Sequence, residues 1–179
     1  MAPMVTWRPM SLRADAEHKA AAPRSIRCFV LTVSDTRNEA TDTSGRAIAD
    51  LLAAAGHVVV GRAIVIDEPD QVRDQVREQL ANPDAQVIIT TGGTGITSRD
   101  STYEAIAALL EKRLDGFGEL FRVLSYEQIG AAAMMSRACA GLAKGRIIVS
   151  LPGSENAVRL AMEKLIIPEL GHLVQQASR

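Results

Sequence analysis

The chain has 179 residues, enough for one domain with a full core, and its 20 basic and 21 acidic residues leave a net charge of −1. That balance, with aromatics at only 3%, argues against nucleic acid, an anionic membrane or a base-stacking platform. No apolar run reaches the roughly 18 residues of a membrane span, and the N-terminus has Arg8 and Arg13 but no apolar h-region. A cytoplasmic, reducing location is therefore expected. Cys28 and Cys139 sit in apolar segments at no metal-ligand spacing, so buried reduced thiols are expected. His18, His57 and His172 are scattered, which argues against a histidine metal centre or triad.

Residues 1–24 mix Pro, Ala and charge without period and read as a flexible tail, leaving 25–179 as a single domain. Ile26 to Val33 is a buried strand that ends at Ser34-Asp35-Thr36-Arg37. A polar loop leads to Asp42-Thr43-Ser44-Gly45, after which Ala47, Ile48, Leu51, Leu52 and Ala55 recur at helical spacing up to a stop at Gly56. His57 to Ile66 is a second strand with a bulge or bend at Gly61. Pro69 opens a helix whose face carries Val72, Val76 and Leu80. Val87-Ile88-Ile89 is a short buried strand. It runs into Thr90-Thr91-Gly92-Gly93-Thr94-Gly95-Ile96-Thr97-Ser98-Arg99-Asp100, followed by Ser101-Thr102-Tyr103-Glu104, a Ser-x-x-Glu capping box opening another helix.

Phe117, Leu120, Phe121 and Leu124 then form one helical stripe, followed by Tyr126; it buries against the chain's own core or against another subunit. Ala131 to Ala143 reads as a small-residue helix, Ile147 to Leu151 as a buried strand ending at Pro152-Gly153-Ser154, and Ser154 as the cap of a last helix that Pro168 ends or kinks. Alternating helices and uniformly apolar strands predict an α/β fold: three layers, with helices on both faces of a mostly parallel sheet.

In such a sheet, ligands bind beyond the carboxyl ends of the strands. That rule gathers the segments Ser34 to Gly45, Gly92 to Asp100 and Pro152 to Ser154 on one edge. Amides of a glycine-rich turn and of a helix start favour a phosphate. The spacing is neither a Walker A loop nor Gly-x-Gly-x-x-Gly, and a ligand-free tight turn is the alternative. Carboxylates beside a phosphate call for a hard cation, and Mg²⁺ shared between one or two of them and the phosphate is the expectation. Asp100 leads as that ligand. Asp42 is a ligand or a helix N-cap, and Asp35 a turn residue more than a ligand. Arg99 neutralises phosphate or faces solvent, whereas Arg137 and Lys144 are expected on a solvated surface.

Thr90-Thr91-Gly92-Gly93-Thr94-Gly95 with Arg99-Asp100, together with Asp42-Thr43-Ser44-Gly45 and Pro152-Gly153-Ser154, resemble the MoaB/Mog family of molybdenum cofactor biosynthesis proteins. The similarity runs from Ile26 to Pro168. Leu114 to Arg122 with Ser125 to Gly130 looks most like the MoaB branch. Ser98-Arg99-Asp100, Thr102-Tyr103-Glu104 and Ser154 depart from the Pro-Arg-Asp, Thr-Pro-Glu and Asn that are common among adenylyltransferase members.

The resemblance implies the molybdopterin-binding, MogA-like fold and a homotrimer or a hexamer of two trimers. It also implies that molybdopterin is adenylylated on its terminal phosphate with Mg-ATP, releasing pyrophosphate. Asp42 and Asp100 would then be the catalytic carboxylates that organise Mg²⁺. Thr91, Gly92, Gly93, Thr94, Gly95, Ser44, Gly45, Pro152, Gly153 and Ser154 would bind phosphate and substrate. The alternatives are a non-catalytic molybdopterin- or precursor-binding or scaffold protein of the pathway, in contact with its other enzymes, and a generic flavodoxin-like nucleotide-binding domain.

Overall fold

The strands are apolar at nearly every position, so side chains alternating above and below the sheet demand a cover on both faces. The computed structural model describes residues 23–179. The expected tail, 1–24, lies outside the described residues save for Pro23 and Arg24. Six strands form one sheet in the order β2-β1-β3-β6-β5-β4. They are β1 (Arg27–Val33), β2 (Val58–Val65), β3 (Val87–Thr91), β4 (Lys112–Arg113), β5 (Cys139–Ala143) and β6 (Arg146–Leu151). The first three and β6 are parallel, while β5 and β4 add an antiparallel wing.

Helices α1 (Thr43–Ala54), α4 (Asp115–Ile129) and the C-terminal helices cover one face, packing Ile48, Leu52, Phe121 and Val158 on Val30, Ile89 and Val149. Helices α2 (Pro69–Ala81) and α3 (Thr102–Ala107) cover the other, with Val72, Val76 and Ile106 on Leu31, Ile88 and Ile148. The expected three layers are present, and Cys28 and Cys139 are buried free thiols that burial pushes up, Cys139 to about 11. Just before Gly61 the β1–β2 register slips by one residue, leaving Val60 unpaired as the bulge expected near that glycine. A Cβ on Gly61 would come 2.9 Å from the Phe29 ring.

Three expectations change, and the alternative left open for the aromatic stripe is decided. Ala131 to Ala143 is not a helix: Gly130 (φ 59°) ends α4, a short 3₁₀ segment Gly130–Met135 follows, and Cys139–Ala143 turns back as β5. Ala143 pairs with Arg146, so the hairpin loop is Lys144-Gly145, both left-handed, which matches the twist of paired strands. Lys144 is thus a turn residue. Pro168 does not end the last helix. α5 (Glu155–Ala161) passes through one widened turn, Met162–Ile166, where the Ile167 N–H donates to Met162 O, and continues as α6 (Ile167–Ala177).

The capping box does not form, because Ser101 Oγ donates to Asp67 Oδ1 at 3.4 Å and Glu104 pairs with Arg137. Finally, Phe121 is fully buried within its own chain, with Phe117 stacked on it at 6.4 Å between centroids. What α4 presents outward is Leu120, Val123, Tyr126 and Ile129, all more than half exposed. Among the described residues, no helix is long and apolar enough to cross a membrane.

Candidate functional site

Strand order reverses direction about β1 and β3, and the loops leaving the carboxyl ends of β1, β2, β3 and β6 meet there. They enclose a hollow of about 640 Å³ lined by Gly92, Gly93, Thr94, Gly95 and Asp100 and, from across it, by Pro152, Gly153 and Ser154.

Close packing fixes the glycine turn. Gly92 (φ +102°) donates its N–H to Leu151 O at 3.0 Å, and a Cβ there would lie 2.1 Å from Val33 O. Gly93 (φ +64°) sits over Asp67 and Thr102, 2.6 and 2.2 Å from where its Cβ would be. Gly153 approaches Gly92 so closely that its Cβ would lie 3.2 Å from the Gly92 Cα. Thr91 is buried and ties the two turns together through its hydroxyl, which donates to Pro152 O at 2.9 Å.

Asp100 faces the hollow. Its Oδ2 accepts from Thr97 Oγ1 at 2.6 Å and Thr97 N at 2.9 Å, bonds that hold its carboxyl below the ordinary range. Sequence alone does not single out Asp67, which follows β2 directly and also lines the hollow. It is 8% exposed and accepts from Thr102 Oγ1 at 3.1 Å. Burial raises its pKa, its hydroxyl donors oppose that rise, and the nearby Asp100 charge adds to it. A signal for it does exist, since a carboxylate at the end of a parallel strand falls under the same sheet-edge rule.

Because its folded pKa lies above the unfolded value, Asp67 favours the fold most below about pH 3.9 and progressively less as pH rises through its raised pKa. Asp67→Asn should therefore be at least as stable as the parent at pH 7. In denaturant titrations, that advantage should vanish by about pH 3.

Asp35 also lines the hollow, braced by Asp67 N at 3.0 Å and Arg99 Nη2 at 2.9 Å, which lower its pKa, Arg99 foremost. Arg99 reaches Glu68 as well, at 2.9 Å, so this guanidinium neither stands free in solvent nor awaits a phosphate unpaired. Asp42, Ser44 and Gly45 are not brought into the hollow. Asp42 is buried at 1% exposure and caps α1 through Gly45 N at 2.8 Å. It also accepts from Thr32 Oγ1 at 2.9 Å and pairs with Arg62 at 2.9 Å. A Cβ on Gly45 would lie 2.2 Å from Asp42 Oδ2, so the helix start is moulded around that carboxylate.

Arg137 is not on a solvated surface. It donates to Thr94 O at 2.8 Å, to Gly95 O and to Glu104, and lies 4.8 Å from the Tyr103 centroid. A planar fork of five donors is preset to clamp two carbonyls and a carboxylate at once, whereas an ammonium offers three donors around a point charge with no such preset geometry. Arg137→Ala should cost about 2 kcal/mol and raise hydrogen exchange over 94–100, and Arg137→Lys should restore little of it. Unchanged exchange would remove the clamp.

Among the described residues no group of three His, Cys, Asp or Glu converges tightly enough to hold a metal ion alone. Asp67 and Asp100 beside the glycine turn do suit a cation that takes one or two carboxylates and completes its shell with ligand oxygens and water.

A family model described as "Probable molybdopterin binding domain" matches residues 29–172. The "Molybdenum cofactor biosynthesis protein B" of Bacillus cereus is 50% identical over 164 residues, 91% of this chain and 97% of that one. A crystal structure of a molybdenum cofactor biosynthesis protein B is 49% identical with a TM-score of 0.85, over 87% of this chain and 98% of that chain. The tungsten cofactor synthesizing protein MoaB of Pyrococcus furiosus is 39% identical with a TM-score of 0.80, over 88% and 100%.

Proposed function

The chain belongs to the MoaB/Mog family of molybdenum cofactor biosynthesis proteins, and from that premise we propose that it adenylylates molybdopterin with Mg-ATP. The observation that carries this reading is the pair of carboxylates, Asp67 and Asp100, flanking the left-handed Gly92-Gly93 turn in one hollow. An oxygen of the pterin's terminal phosphate attacks the α-phosphorus of ATP, the bond to the bridging oxygen of the β-phosphate breaks, and pyrophosphate leaves with the electron pair. Such transfer needs positioning and charge stabilisation, not a protein nucleophile.

The Gly93 and Thr94 amides bind a phosphate, since the Gly92 N–H is taken by Leu151 O and that of Gly95 by Asp100, and the Pro152-Gly153-Ser154 turn closes the opposite wall. Asp67 and Asp100 hold Mg²⁺, whose charge offsets the repulsion between phosphate and carboxylate. Asp42 holds the first residues of α1 in place from below. Incubation with molybdopterin, ATP and Mg²⁺ should yield the adenylylated pterin and pyrophosphate. Pterin binding without an ATP-dependent product would favour instead a non-catalytic binding or scaffold protein of the pathway.

The exposed row Leu120, Val123, Tyr126 and Ile129 on α4 favours self-assembly, as a trimer or a hexamer of two trimers. Leu120→Ser with Val123→Ser should shift sedimentation towards monomer. An unchanged profile would leave that row without a partner copy.

A further inference from the structure

A second hollow, about 730 Å³, runs along β2 past Arg46, Arg62 and Ala63, and it shares Ser34, Asp35 and Arg37 with the glycine-turn hollow. A transfer between two substrates needs two compartments whose reacting phosphates meet. Arg37 stands in the wall common to both.

Charge accounting singles out the same residue. Among the described residues lining the glycine-turn hollow, the cations are Arg37 and Arg99. Arg99 is already matched by Asp35 and Glu68, each at 2.9 Å. Arg37 has only a long approach to a carboxylate, Asp42 at 4.0 Å, and Arg62 already engages that group at 2.9 Å. Its remaining contacts are neutral: the Ser44 hydroxyl, and Gly153 O at 3.0 Å. Its backbone is pinned too, since Arg37 N donates to Ser34 Oγ at 3.1 Å. The guanidinium is thus held in place by neutral groups and keeps its charge for a ligand.

We propose that Arg37 binds the phosphoryl group at the junction of the two hollows, contacting the substrate at the point of transfer. This inference rests on the adenylyl-transfer reading for its two substrates, but its test does not. A planar fork suits phosphate oxygens, and a charge-assisted pair is stronger than a neutral one.

Calorimetry with magnesium pyrophosphate should show Arg37→Ala binding at least tenfold more weakly than the parent, and Arg99→Ala within twofold of it. Thermal unfolding checks that each variant is folded. Should Arg37→Ala fail to fold, Arg37→Lys decides, with a loss of at least threefold expected because an ammonium cannot grip phosphate oxygens bidentately while it also holds Ser44 and Gly153. Equal losses in the Arg37 and Arg99 variants, a loss confined to Arg99→Ala, or no pyrophosphate binding by the parent would each overturn the assignment. A parent that binds pyrophosphate through Arg37 yet makes no adenylylated pterin would sink the enzymatic reading and leave this one standing.

Discussion

Asp100→Asn should lower formation of adenylylated pterin by about 10²-fold or more, in line with the loss of one electrostatic contributor to a transition state, while the protein stays folded. The amide oxygen of Asn can still accept from Thr97 N and Thr97 Oγ1, now 2.9 and 2.6 Å from Asp100 Oδ2. The turn keeps its shape and only the charge is lost. Asp67→Asn should behave alike in the assay.

Asp42→Asn should separate from both. Its carboxylate is buried between Arg62, Thr32 and the start of α1, and losing hydrogen bonds to a buried charged group costs roughly 1.5–3 kcal/mol. Its deficit should therefore appear in denaturant unfolding before it appears in turnover per folded molecule. Full product formation by Asp100→Asn would remove that residue from the proposed mechanism. A folded, fully stable Asp42→Asn that makes no product would return Asp42 to direct chemistry.

Gly92→Ala should be among the most damaging single-methyl additions to this chain, costing about 3 kcal/mol or more. Two penalties add there: the left-handed backbone, roughly 1–2 kcal/mol for a residue with a Cβ, and a Cβ forced to within 2.1 Å of a main-chain oxygen that cannot swing aside. Gly56→Ala is the matched control. Gly56 has φ +82° but nothing within 4 Å of where its methyl would sit, so only the backbone term of about 1 kcal/mol applies. Equal losses of stability in the two variants would show that the contact between the ends of β1 and β3 yields more than close packing allows.

Periodicity makes the parallel half of the sheet legible, because apolar strands and helix faces such as Val72, Val76 and Leu80 carry their own signal. The antiparallel wing carries none. Cys139-Ala-Gly-Leu-Ala is built of small residues with no alternation, and its identity as a strand comes from pairing with β6 across the Lys144-Gly145 turn. The site divides along the same line. The glycine turn and Asp100 announce themselves through local spacing. Asp67 shows no motif and joins the hollow only because β2 is parallel to β1. Arg137 escapes a reading from sequence for a related reason: its partners Thr94, Gly95 and Glu104 lie more than 30 residues away along the chain. Asp42 looks like a ligand because its motif sits in a loop after a strand, whereas burial turns that loop's carboxylate inward.

The central position of β3 has a consequence for the order in which this protein acquires its ligand pocket during synthesis. β3 lies between β1, made long before it, and β6, made some sixty residues later. The wall opposite the glycine turn is held by Leu151, Pro152 and Gly153, which receive bonds from Gly92, Thr91 and Arg37. A nascent chain that has emerged only as far as α4 therefore carries the glycine turn and both carboxylates with one side of the pocket missing. The two-sided hollow is therefore completed late, when the sixth strand docks.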